Sequence, residues 1–213
     1  MDAPPIEEVE RRIQRLFEQG DHEGAATEII RAYGGEILSF LSAVHRSQSE
    51  ASEVFSYFAE GVWRGLPSFT PQGAFRSWAY AIARKSSLRH RRDKHRREAR
   101  FEALPQGSAF LVAVNELRTG TPWYVRTETR SRFAAIRDSL PPEDRELLVL
   151  RVDRKLPWND LAQMLRDDGD EPLTGEALKR EAARLRKRFQ LLASRLREIG
   201  RREGLLPADG DES

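Results

Sequence analysis

The chain of 213 residues contains no cysteine, which excludes disulfides, thiolate metal sites and cysteine nucleophiles. No window approaches the roughly 18 apolar residues that signal a membrane span. The N-terminus MDAPPIEEVE lacks the basic and apolar regions of a signal peptide, so a cytoplasmic location is expected. Strand-like alternation is scarce throughout. No P-loop, nucleophile triad or metal cluster stands out, so the expectation is a non-enzyme without cofactor. His90 and His95, i and i+5 amid arginines, have poor spacing for a metal pair, and no metal is expected.

Net charge is scarce as well: +2, although 33% of residues are charged. The signs are segregated instead. Residues 1–28 hold three basic residues against eight acidic ones; residues 84–100 hold nine against two, and 176–202 ten against three. Two basic stretches in a nearly neutral chain suggest a polyanion held at two places, although basic runs are also common on solvated helix faces.

What is abundant is helical periodicity, which predicts an all-α protein of two small helical domains joined by a linker. Ile29, Ile30, Tyr33, Ile37, Phe40, Leu41 and Val44 form one stripe. Ala51, Val54, Phe55, Phe58, Val62, Trp63 and Leu66 form a second, ending at Pro67. After the loop PSFTPQG, a third helix starts apolar and aromatic near Phe75 and becomes basic. Residues 1–20 form an acidic arm, expected to be a solubilising tail rather than an autoinhibitory cover. The linker, 98–127, includes a short apolar run in which Leu111, Val114 and Leu117 are the docking candidates. Beyond it, Pro141 and Pro142 precede a helix with acids in its first turn. A short helix follows Pro157. A long helix begins after Thr174, a candidate N-cap, with Leu178, Ala182, Leu185, Phe189, Leu192, Leu196 and Ile199 on one stripe. Residues 203–213 are expected to be a flexible tail.

Helix, short helix, turn and long basic helix suit a helix-turn-helix, whose last helix presents Arg and Lys to DNA. LPPEDRELLVLR…LPWNDLAQML followed by LKREAARLRKRFQLL resembles region 4 of sigma-70-family transcription initiation factors, placed at 128–202. The resemblance implies contact with the −35 promoter element and the polymerase β flap through Thr174, Glu176, Lys179, Arg180, Arg184, Arg186, Lys187 and Arg188. One departure is the acidic turn RDDGDEPLTGEA, longer than the family's usual turn and an awkward neighbour for DNA. PSFTPQGAFRSWAYAIARKSSLRHRRDK resembles region 2 of the same family, placed at 21–97. This implies core polymerase binding and recognition and melting of the −10 element. Melting needs a cradle for an unstacked base and cations for the phosphates. The loop from Phe69 through Gln72 to Phe75 is the candidate cradle. Arg84, Lys85, Ser87, Arg89, His90, Arg91 and Arg92 are the candidate DNA contacts, while Trp78 and Tyr80 are expected in the core.

With no domain between the two blocks, the chain resembles the extracytoplasmic-function group, the smallest sigma factors. That resemblance places the acidic box that binds the polymerase β′ coiled coil on Glu50-Ala51-Ser52-Glu53, with Ser56 downstream. Serine replaces an acid at Ser52, and Ser56 replaces another polar residue. The pattern resembles the subgroup activated by a Ser/Thr protein kinase, making Ser52, or less favourably Ser56, a candidate phosphosite; a phosphate would restore the missing charge. An anti-sigma factor is the other partner such a group implies. The alternatives are a conventional helix-turn-helix regulator and a sigma-like adaptor or anti-sigma protein.

Overall fold

The computed structural model describes residues 4–70, 73–93, 107–119, 136–137, 139–166, 172–203 and 205. All regular elements among them are helical. The chain divides into two compact units, Met1–Pro122 and Trp123–Ser213. Among the described residues, no helix is long and apolar enough to cross a membrane.

The first unit contains α1 (Ile6–Glu18), α2 (His22–His45), α3 (Gln48–Gly65), α4 (Phe75–Asp93) and α5 (Ala109–Thr119), with a 3-10 turn, Leu66–Ser68, after α3. Helix α2 packs against all four of the others. Its predicted stripe is the buried one: Ile29, Ile30, Tyr33, Ile37, Phe40, Leu41 and Val44. Asp21 starts the helix by accepting the Gly24 amide at 2.8 Å, and Arg46, in the left-handed region at φ 59°, ends it. Helix α3 buries Ala51, Val54, Phe55, Phe58, Ala59 and Val62. Trp63 stays half-buried at its edge and stacks on Phe110 of α5, with ring centroids 5.1 Å apart.

Two expectations are corrected here. The acidic arm is not a tail over Ile6–Glu18: it is helix α1, which buries Val9 and Ile13 against α2. The short helix of the linker, α5, belongs to the first unit and docks through Phe110, Ala113 and Val114, while Leu111 is only half-buried. Leu117 reaches Gly34 of α2, where an added Cβ would clash with its Cδ1. A glycine there lets the two helices approach closely.

The second unit contains α6 (Pro142–Leu148), α7 (Trp158–Met164) and α8 (Gly175–Arg202). Arg145 of α6 is buried and donates to the carbonyls of Leu140 at 3.0 Å and Arg137 at 3.3 Å, fixing the chain's entry into the helix. Helix α6 runs into a π turn over Val149–Asp153, closed by the Arg154 amide on the Val149 carbonyl at 3.1 Å. Leu147, Leu150, Leu161 and Met164 form the core with Ala182, Leu185 and Leu192 of α8. Trp158 meets Phe189 of α8 edge-on at 5.6 Å.

Candidate functional site

The start of α4 is set by a residue 65 positions away. The Glu10 carboxylate accepts the Phe75 amide at 2.8 Å, the Arg76 amide at 2.9 Å and the Tyr33 hydroxyl at 2.6 Å. Two otherwise unsatisfied amides of the first turn are thereby capped from α1, with a negative charge at the positive end of the helix. Burial, together with the Glu10 charge, raises the Tyr33 pKa, so the hydroxyl stays protonated and donates. Arg76 grips Glu36 of α2 with two bonds, 2.7 and 2.8 Å long. Burial opposes the Arg76 charge, but the Glu36 bonds outweigh it and its pKa is raised.

The loop before α4 is held by aromatic packing. Phe69 lies 4.9 Å from both Phe75 and Trp78 and 5.9 Å from Phe17 of α1. Phe75 is only 2% exposed, so it is a core anchor and not part of an open base cradle. Phe69 and Trp78 are half-buried, Tyr80 is buried, and Gln72 lies outside the described residues. Among the basic candidates that follow, Lys85, Arg89 and Arg92 are exposed, Arg91 and His90 are half-buried, and Arg84 is buried. Ser87 is withdrawn from the DNA-facing set: it is 2% exposed, and its hydroxyl is bonded to His45 Nε2 at 2.8 Å.

The serines around the start of α3 separate into distinct roles. Ser47 is the N-cap and accepts the Glu50 amide at 3.2 Å. The Ser47-Gln48-Ser49-Glu50 spacing is a capping pattern visible in the sequence, and it accounts for this serine without any partner. Ser49 is exposed. Ser56 donates back to the Ser52 carbonyl at 3.2 Å. Ser52 is half-buried and accepts from Arg118 Nε of α5 at 3.3 Å. Helix α5 therefore borders Ser52.

Where α2 ends, α3 begins and α4 passes, polar side chains meet. His45 Nδ1 lies 3.5 Å from Glu50, and His90 Nδ1 lies 3.9 Å from Glu53. The two imidazole rings are 5.6 Å apart. Burial, then the charges of Arg91 and His90, hold the His45 pKa down at about 4, so this ring is neutral near pH 7. Arg89 lies over the Tyr57 ring at 6.0 Å.

Residues 29–97 match the family model of sigma-70 region 2. The matched residues all lie in the first unit. Such a domain supports a sigma factor's role in binding RNA polymerase and melting promoter DNA, in a family of non-enzymatic initiation factors. Its implied partners are core RNA polymerase and promoter DNA. The match runs from Ile29 in α2 through α3 and α4; α1 and α5 lie outside it and pack on the region 2 helices. No curated protein matched the chain.

In the second unit, Thr174 stands at the N-cap position of α8 in an extended conformation, without a side-chain cap bond. The Gln163 side chain of α7 accepts the Leu173 amide at 3.0 Å and donates to the Leu173 carbonyl, pinning the chain just before α8. Residues 167–171 of the acidic turn lie outside the described residues. Thr174, Glu176, Lys179, Arg180, Arg184, Arg186 and Lys187 are all exposed. Lys179 pairs with Glu176 at 2.8 Å, and Arg184 with Glu181 at 2.7 Å. Arg188 is half-buried and bound to Asp144 at 2.7 Å and Glu143 at 3.1 Å, so it ties α8 to α6. Arg186 leans toward the Trp158 ring at 5.9 Å.

Proposed function

We propose that this chain is a sigma factor of the extracytoplasmic-function group. In this reading Glu50 and Glu53 on α3 bind the β′ coiled coil of core RNA polymerase, and the loop at Phe69 with α4 recognises and opens the −10 element. The second unit acts as region 4, its α8 contacting −35 DNA and the polymerase β flap through Arg180, Arg186 and Lys187. The observation that carries the reading is the region 2 match over residues 29–97, on helices that present acids at the start of α3 and exposed cations along α4. A conventional DNA-binding regulator with a helix-turn-helix leaves that match without a role.

Activation by a Ser/Thr kinase at Ser52 is the finer part of the proposal. Its support is the serine within the acidic segment and the guanidinium of Arg118 at 3.3 Å, since arginine pairs strongly with a phosphate. The same contact means that a phosphate on Ser52 meets an arginine of its own chain before any on the polymerase. Ser56 is the weaker candidate because its hydroxyl bonds its own helix backbone.

The test is a titration of the purified chain against core RNA polymerase, unmodified and phosphorylated at Ser52. Tight binding only by the phosphorylated form is the expected result and supports both parts. Equal, tight binding by both forms keeps the sigma factor and removes the switch. No binding by either form, together with operator binding in the absence of polymerase, overturns the proposal in favour of the conventional regulator.

A further inference from the structure

The polar corner formed by α2, α3 and α4 offers a second chemistry, and its Glu50 is also one of the two acids proposed above to bind polymerase. Two imidazoles and a carboxylate from three different helices converge there. One ligand atom from each of His45, Glu50 and His90 lies within 4.8 Å of the other two. We propose that this corner is a binding site for a divalent metal ion of Zn²⁺ character, with His45, Glu50 and His90 as its three protein ligands.

The donor set selects the ion. Imidazole nitrogens with one carboxylate suit Zn²⁺ and Co²⁺, whereas Ca²⁺ and Mg²⁺ take oxygen ligands. With metal–ligand bonds of about 2.0–2.2 Å, tetrahedral donors stand roughly 3.4 Å apart. One pair already meets that spacing, with His45 Nδ1 and Glu50 Oε2 at 3.5 Å. The third ligand closes the rest of the distance by side-chain rotation, because Glu50 and His90 retain side-chain exposures of 32% and 11%. His45, at 2%, is the fixed member.

The surroundings of His45 fit a ligand. Its Nε2 is bonded to the Ser87 hydroxyl at 2.8 Å, which leaves Nδ1 directed at Glu50. A ligating histidine commonly donates its other ring N–H to a neighbouring oxygen, and that bond fixes both tautomer and ring orientation. The buried Ser87 hydroxyl, removed above from the DNA contacts, thereby acquires a role. Glu50 is placed by the Ser47 cap at the first turn of α3, so its backbone is not free to drift. Glu53, 3.9 Å from His90 Nδ1, adds a second negative charge beside the site. Arg91 of α4 is a cation whose charge reaches His45, and the ion must bind against it; the two carboxylates oppose it. Three protein ligands leave one coordination position open to water or to a group from a partner.

Metal binding does not depend on the sigma-factor reading, and its test needs no polymerase. The full chain is stripped with a chelator and titrated with Co²⁺, read by visible absorption, and with Zn²⁺, read by calorimetry. The expected result is one equivalent per chain, with micromolar or tighter affinity and a tetrahedral Co²⁺ spectrum. His90→Ala and Glu50→Gln should each weaken binding by about 10-fold or more, while His22→Ala leaves it unchanged. Circular dichroism checks that the variants fold; if His90→Ala does not, Glu50→Gln on the more exposed ligand decides. The proposal is overturned by no binding below millimolar metal, by affinity unchanged in His90→Ala and Glu50→Gln, or by loss of binding in His22→Ala.

Discussion

Replacing Glu10 is the sharpest probe of how α1 serves the helices of the first unit. Its carboxylate takes three hydrogen bonds, from the Phe75 and Arg76 amides and the Tyr33 hydroxyl, at 2.8, 2.9 and 2.6 Å. Glu10→Ala removes the cap of α4, which costs about 0.5–2 kcal/mol. It also strands the Tyr33 hydroxyl, on a residue only 3% exposed, at a further cost of roughly 1–3 kcal/mol. Together these come to about 3 kcal/mol, a large share of the roughly 5–15 kcal/mol that stabilises a typical domain. Glu10→Gln should fall between, because one amide oxygen still accepts while the amide nitrogen meets the Phe75 N–H as donor against donor. Tyr33→Phe alone should cost about 1 kcal/mol, and the Glu10→Ala/Tyr33→Phe pair should show coupling of similar size, since both remove the same bond. Denaturant unfolding measures the total. Amide hydrogen exchange at Phe75 and Arg76 locates it in the first turn of α4. Glu10→Ala within about 0.5 kcal/mol of the parent, with unchanged exchange at those amides, would refute the account of α1.

Two further predictions separate structural side chains from functional ones. Ser47→Ala should destabilise the first unit by about 1 kcal/mol through loss of the α3 cap, whereas Ser49→Ala should stay within about 0.5 kcal/mol; equal effects in denaturant unfolding would contradict the division among the serines. In the second unit, Arg188→Ala should lower stability by breaking its pairs with Glu143 and Asp144. Lys187→Ala should leave stability unchanged and reduce the slope of log affinity for promoter DNA against log salt by about 1, read by titration at several salt concentrations.

The long helices were legible because their cores lie along one stripe at a helical period. Every residue of the stripe predicted on α2 is buried, and on α8 Ala182, Leu185 and Leu192 form the buried line. Helix α1 was harder to see. Its Pro-Pro start and four acids within the first ten residues resemble a solvated tail, although Val9 and Ile13 already stand at i and i+4. What identifies it as structure is its packing on α2, where it buries Val9 and Ile13, which no local pattern contains. The Ser47 cap, in contrast, was fully written in four consecutive residues. It was obscured by the rival meaning that the family's acidic box gives to the same segment.

Sites assembled from distant segments are where one-dimensional reading loses most. His45, Glu50 and His90 have no shared period, and the one histidine pair weighed from spacing, His90 with His95, was set aside as poorly spaced, so nothing along the chain pointed to His45 beside His90. The basic stretches show the complementary effect. Charge counting marks α8 as a polyanion-binding helix, but it weighs all its cations equally. The fold divides them: Arg188 is committed to Asp144 and Glu143, Arg184 and Lys179 are paired along their own helix, and Arg180 and Lys187 stand exposed. An exposed ion pair contributes little and is easily exchanged for a phosphate, so Arg184 and Lys179 remain recruitable. The half-buried, two-partner Arg188 does not, because leaving α6 would strand the mostly buried Asp144 carboxylate. Affinity for DNA along α8 should therefore follow the accessible cations and not the net charge of the helix.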